Sequence, residues 1–152
     1  MTATVAVSPA RRRLARAVRV SLVTVGLFPF IPPLLSHVPI LDAVAKLVDE
    51  WLAFQCQREA ARSLAPFGIS MAACARCSGI YIGLGLGALV AKPELAAWPL
   101  RIWVGVAALV MLLDVATEAL GMRPAWAPLR LLTGIALAYP VSVALVLATR
   151  GV

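Results

Sequence analysis

The twenty residues from Ala72 to Ala91, AACARCSGIYIGLGLGALVA, decide how the rest of the chain reads. Arg76 is their one charge, and everything after it is small, apolar or weakly polar. About 20 such residues are what a helix needs to cross the hydrocarbon core of a bilayer. Small residues recur at every fourth position, Ala75, Gly79, Gly83, Gly87 and Ala91. Repeats of this kind lay a flat strip along one helical face, where another helix can approach closely. Gly79, Gly83 and Gly87 are the expected packing groove. A second copy of the chain or another membrane protein is the candidate partner through this span.

Working outward, three more stretches read as spans, at about 14–35, 98–120 and 129–149. Composition agrees, since 62% of the 152 residues are hydrophobic and 14% charged. Soluble domains average ~45–50% and ~25%. A soluble enzyme and a disordered chain are both excluded on that ground. Ser8 and Pro9 suit the cap and first residue of the first helix, with residues 1–13 as a flexible basic N-terminus. Pro29, Pro32 and Pro33 should end that helix near Ile31. A cleaved signal peptide ending near Ala43-Val44-Ala45 would be unusually long and interrupted by those prolines. Residues 41–54 differ: Val44, Leu47, Val48, Trp51 and Leu52 share one helical face, while Asp42, Lys46, Asp49 and Glu50 share the other. This predicts an amphipathic helix lying in the membrane interface, because four charges would be costly in hydrocarbon. The expected fold is all-α and polytopic, with four transmembrane helices and one interfacial helix between the first and second. Pro140 should bend the last span, and Trp98, Trp103 and Trp126 suit the interface at span ends.

The net charge of +7 would suggest nucleic acid in a soluble protein. Here Arg11, Arg12, Arg13, Arg16 and Arg19 crowd the start of the first span, which marks orientation and not a nucleic-acid footprint. With the N-terminus cytoplasmic, eight Lys and Arg fall inside and six outside. Both termini are therefore expected in the cytoplasm of a bacterium, with the chain in the inner membrane and the lipid bilayer as its first partner.

That topology gathers the chemistry at the outer end. Cys56, Arg62, Cys74, Arg76 and Cys77 fall at or before the outer start of the second span. Asp114 and Glu118 lie one turn apart in the outer part of the third, Arg123 in the short outer loop, and Arg130 and Thr133 open the fourth. Buried charges pair, so Arg76 and Arg130 are expected to neutralise Asp114 and Glu118 across helices. The cysteines carry a more specific signal. Cys74 and Cys77 form a C-x-x-C at a helix entrance with a cation between them, and both features lower a thiol pKa. Three readings stay open: plain buried thiols, a redox pair with Cys56 as third thiol, or a metal site of Cys56, Cys74 and Cys77 that needs a fourth ligand. His37 is far from the cysteines in sequence. Two thiols, a guanidinium and a carboxylate are expected to converge on one outer mouth.

At these residues the sequence resembles a bacterial family of small predicted membrane proteins of unknown function, whose signature reads Cys-x-Arg-Cys-Thr-Gly-Ile-Tyr-x-Gly. Cys74 to Gly83 carry it, with Ser78 for the threonine. Cys56, Arg62 and Ser63 look like an upstream Cys-His-Gln and Arg-Ser set. Asp114, Thr117, Arg130, Thr133 and Gly134 look like downstream positions, with Glu118 replacing a glutamine. The likeness covers about residues 18–148. The family histidine is Gln57 here, so the Cys3His metal site the pattern implies lacks its nitrogen ligand in this chain. The family brings no activity with it.

No phosphate loop, zinc-protease helix or serine elbow is present. The leading reading is a non-catalytic membrane subunit or accessory protein. The alternatives are a thiol–disulfide protein, similar in layout to the quinone-coupled disulfide-forming oxidase, and a metal- or haem-binding protein. Proton relay through Asp114 and Glu118 is a further alternative, with little room for alternating access in four short spans.

Overall fold

The computed structural model describes residues 8–35, 38–56, 63–65, 71–91 and 97–150. Six helices carry it: α1 Pro9–Leu27, α2 Ile31–Leu35, α3 Asp42–Gln55, α4 Ala75–Val90, α5 Ala97–Ala119 and α6 Ala127–Arg150. The Ser8 hydroxyl accepts from the Arg11 amide, and Pro9 fills the first helical position where its missing N–H costs nothing. Helix α1 therefore begins at Pro9. Arg11, Arg12 and Arg13 belong to its first turns, which corrects the expectation of a flexible tail through residue 13. At the other end the prolines do not stop the chain near Ile31. They tighten it into a single 3-10 turn at Phe28–Phe30, after which α2 continues with Pro32 and Pro33 in its first turn.

Three of these segments are long and apolar enough to cross a membrane: Pro9–Leu35, Trp98–Ala119 and Ala127–Thr149. The fourth, Ala75–Val90, is apolar but has 16 residues, about 24 Å at ~1.5 Å per residue. Ala72 to Cys74, expected inside this helix, are not helical. The Cys74 backbone is extended at φ −64°, ψ 160°, and pairs with Ser63. The Cys74 amide donates to a sulfur, so it is withdrawn from any helical ladder.

Helix α4 is the hub, packing most extensively on α6 and next on α1, while α5 packs on α6. The glycine strip sets this up, and its occupant is α6 of the same chain. A Cβ built on Gly79 would meet the Leu131 carbonyl oxygen at 2.2 Å, and one on Gly87 the Tyr139 carbonyl oxygen at 2.4 Å. One on Gly83 would lie 2.8 Å from the Ile135 oxygen. The groove is thus filled by α6 of the same chain, backbone against backbone. The Ser142 hydroxyl donates to the Leu84 carbonyl at 2.6 Å across this seam. On the opposite face Gly85 meets Gly26 of α1. Helix α6 runs through the buried Pro140 unbroken. From the middle of α1, Arg19 donates to the Ala91 carbonyl at 2.8 Å, capping the end of α4.

Helix α3 turns its buried Ala45 and Leu52, with Val48 beside them, toward Tyr81 and Val25. Val44, Leu47 and Trp51, expected on the same apolar face, stay exposed with Ile40 and Phe54. Trp51 meets Phe28 edge-on at 5.6 Å.

Candidate functional site

Two groups of side chains meet at the end of the bundle where α3 and α5 finish and α4 and α6 begin. They occupy different faces of the first turn of α4. Arg76 is on the side of Gly79, which packs on α6, and Cys77 is on the side of Tyr81, which packs toward α1 and α3. The single mouth expected from the sequence is therefore two centres that share one helical turn.

The first is a buried ion network. Asp114 is 5% exposed and accepts from Arg76 at 2.6 Å; its other oxygen takes Arg123. Arg123 also reaches the Asp114 carbonyl at 2.9 Å and the Thr117 hydroxyl at 3.0 Å. Glu118 takes the Arg130 guanidinium through both oxygens, a bidentate pair, with Arg76 4.0 Å away. Thr133, buried, donates to the Arg130 carbonyl at 3.0 Å, which is local helix bonding. Arg76 thus pairs with Asp114 and Arg130 with Glu118 across helices. Arg123, placed at this end by the sequence but given no partner there, closes the network on Asp114. Its signal was present in the sequence: an arginine nine residues after Asp114, in a loop short enough to fold back.

The second centre holds every cysteine of the chain. The Sγ atoms of Cys56, Cys74 and Cys77 all lie within 4.8 Å of one another, and none is in a disulfide. Chain geometry explains the meeting. Cys56 ends α3 and Cys74 caps α4; between them in sequence, Ser63 pairs with Cys74 and the Met71 amide donates to the Leu64 carbonyl at 2.8 Å. The Cys74 amide donates to the Cys56 sulfur at 3.2 Å. Cys74 stands just before α4, and its thiol is lowered to about 5. The hydrogen bond from the Cys77 thiol is the main cause; burial opposes it, and further hydrogen bonds from the Cys77 and Arg76 backbone and the Cys56 thiol assist. Beside these residues a half-open cleft of about 130 Å³ is lined by Leu52, Gln55, Cys56, Cys77, Ile80 and Tyr81, with Ala73 behind. The Tyr81 hydroxyl donates to Gln55 at 2.8 Å across it. Arg62, Gln57 and His37, named from the sequence, lie outside the described residues.

The arrangement can hold a soft cation. Sulfurs bound at ~2.3 Å to a tetrahedral ion stand about 3.8 Å apart, within reach of small rotations from the present spacing. It can also form a disulfide between neighbouring thiols.

Comparison with known proteins adds identity without activity. The family model described as "Predicted membrane protein (DUF2085)" matches residues 56–144, more than half of the chain. That stretch begins at Cys56 and contains both centres. An uncharacterised protein of Methanocaldococcus jannaschii is 34% identical over 83 residues, covering 52% of this chain and 53% of the relative. The chain thus spans about half the length of the curated relative it matches. No solved structure matches.

Proposed function

This chain belongs to that family of predicted membrane proteins, and on that premise we propose that it is a non-catalytic accessory protein that holds a soft metal ion between Cys56, Cys74 and Cys77. The observation that carries the reading is the meeting of three thiols from two distant parts of the chain within 4.8 Å. Thiolate donors favour soft ions such as Zn(II) and Cu(I) over hard ones. On binding, each protonated thiol releases its proton to water. The buried ion network is the rigid clamp beside this centre: its pairs tie α4, α5 and α6 together at the turn that carries Cys74 and Cys77.

The proposed topology has four spans, with α4 as the second. Its 16 residues are short for a lone span, but it lies along α6 and α1 and buries most of its length against them, with Leu86, Leu89 and Val90 left exposed. Both termini are cytoplasmic, on the strength of the arginines at the start of α1. The thiol centre then faces the outside of the inner membrane, and α3 lies in the outer interface with Leu47 and Phe54 toward lipid.

A second reading draws on Cys74 at the helix cap. Cys74 and Cys77 would form a disulfide, giving two electrons and two protons to a quinone or to a partner disulfide. One experiment separates the readings. The full chain, purified in detergent under reducing conditions, is titrated with Zn(II) against a chromophoric chelator, with Cys56→Ser, Cys74→Ser and Cys77→Ser in parallel. The metal reading predicts one equivalent bound in the native protein and a loss of at least tenfold in affinity for every variant. Absence of stoichiometric metal, or a Cys56→Ser protein that binds as well as the native one, refutes it.

A further inference from the structure

We infer that the thiol centre is an open metal site, whose fourth coordination position faces the cleft under Tyr81 and takes a small exogenous thiol. The inference rests on the metal reading above and goes further, because a structural zinc site is closed by four protein ligands whereas an exchanging one keeps a position free.

Donor counting comes first. The chain has three cysteines and one histidine. All three cysteines are in the centre. His37 is separated from Cys56 in sequence by α3, whose 14 residues make a rod of about 21 Å. Gln57 follows Cys56 directly, but a neutral amide competes poorly where thiolates dominate. Among the described residues, Cys56, Cys74 and Cys77 are the only group of histidine, cysteine or carboxylate ligands close enough to share an ion. Among the described residues, the protein thus brings three sulfurs to an ion that prefers four ligands.

The cleft supplies the place for the fourth. Two of the three ligands, Cys56 and Cys77, are part of its wall. Its volume of about 130 Å³ is close to that of the ~150 Å³ apolar cavity that admits a benzene-sized guest, so it has room for a ligand of about six heavy atoms. Leu52, Ala73 and Ile80 make most of the wall apolar, while the hydroxyl of Tyr81 is engaged by Gln55. A small apolar cavity next to a soft cation suits a short alkyl thiol better than a carboxylate, whose hard oxygens match a soft ion poorly and whose second oxygen would be desolvated there. In the exchange the thiol loses its proton to solvent, its sulfur replaces a bound water, and the water leaves. No electrons move. An ion held this way can pass between the protein and a low-molecular-weight thiol carrier one ligand at a time.

The test uses the reduced full chain in detergent, loaded anaerobically with one equivalent of Co(II) as the visible stand-in for Zn(II) and titrated with ethanethiol. The expected result is a saturable shift of the Co(II) ligand-field bands. The sulfur-to-cobalt absorption should rise by about a third, as four sulfurs replace three. Ile80→Trp, which narrows the cleft from a wall position that is not itself a ligand, should keep stoichiometric Co(II) binding and respond to ethanethiol at least tenfold more weakly. A native Co(II) spectrum indifferent to ethanethiol overturns the open site and leaves the metal reading standing. An Ile80→Trp protein that takes the thiol as readily as the native chain overturns the cleft as its place. Failure of the native chain to bind Co(II) or Zn(II) removes the metal reading itself.

Discussion

Replacing Gly79 by alanine should destabilise the bundle, whereas the same change at Gly105 should stabilise it slightly. The new Cβ at position 79 would stand 2.2 Å from the Leu131 carbonyl oxygen and 3.0 Å from its carbon. Ordinary contact begins near 3.4 Å, so the two helices must part by about 1 Å. The obstacle is backbone, so no rotamer change relieves it. The reverse contact is as tight: a Cβ on Gly134 would meet the Arg76 carbonyl at 2.4 Å, and α6 has no slack to give. A gap of ~0.5–1 Å forfeits about a quarter to a half of the dispersion energy across a contact. Overpacking costs ~1–3 kcal/mol, and this site belongs at the top of that range. Alanine returns up to ~1 kcal/mol of helix propensity. The net loss is about 2 kcal/mol, roughly thirtyfold in the folding equilibrium at ~1.4 kcal/mol per decade. Gly105 meets nothing within 4 Å, so Gly105→Ala keeps only the propensity gain. Reversible unfolding in mixed micelles, followed by circular dichroism, reads both variants. Changes of the same sign, or a Gly79→Ala protein within about 0.5 kcal/mol of the native one, would refute the claim that the glycine strip serves α6.

Asp114→Asn removes the carboxylate that answers both Arg76 and Arg123 while keeping the side-chain shape. Arg76 and Arg123 keep 17% and 26% of their side chains exposed, so leaving them without the carboxylate costs less than a fully buried pair would, about 2–3 kcal/mol; the same unfolding assay should register a loss of that order, and a change below about 1 kcal/mol would deny the network its clamping role. In metal-free protein, Cys74 should react with iodoacetamide down to pH near 5, since its thiol is lowered to about 5. A lowered folded value means that this group stabilises the fold above the unfolded thiol range and that the contribution fades as pH falls through about 5. Cys77→Ala deletes the principal hydrogen bond and should move the reactivity midpoint of Cys74 upward by at least one pH unit, read by mass spectrometry of alkylation against pH; an unmoved midpoint contradicts that cause.

The helices were legible because hydropathy is a property of long stretches. Residues 98–120 and 129–149 correspond to helices at Ala97–Ala119 and Ala127–Arg150. The start of α4 was not, because Ala72 to Cys74 look helical by composition and are held extended by a tertiary contact, the Cys74 amide on the Cys56 sulfur. The glycine strip announced a close helix contact, but spacing carries no information about which helix arrives. Charge pairing across the bundle followed from the cost of lone charges in lipid. Arg123 escaped because a loop residue is not forced to pair, and only the left-handed turn at Gly121 (φ 67°) brings the loop back over Asp114. Likewise the sequence grouped thiols and charges at one end without resolving that residues 76 and 77 leave α4 in different directions.

X-ray absorption at the zinc edge of the reduced, zinc-loaded full chain reads the ligand set itself. Three sulfur scatterers at ~2.3 Å and one nitrogen or oxygen at ~2.0–2.1 Å are expected, the light atom giving way to a fourth sulfur when ethanethiol is present. A shell made only of nitrogen and oxygen, or one with fewer than three sulfurs in the native protein, would contradict the three-thiolate site.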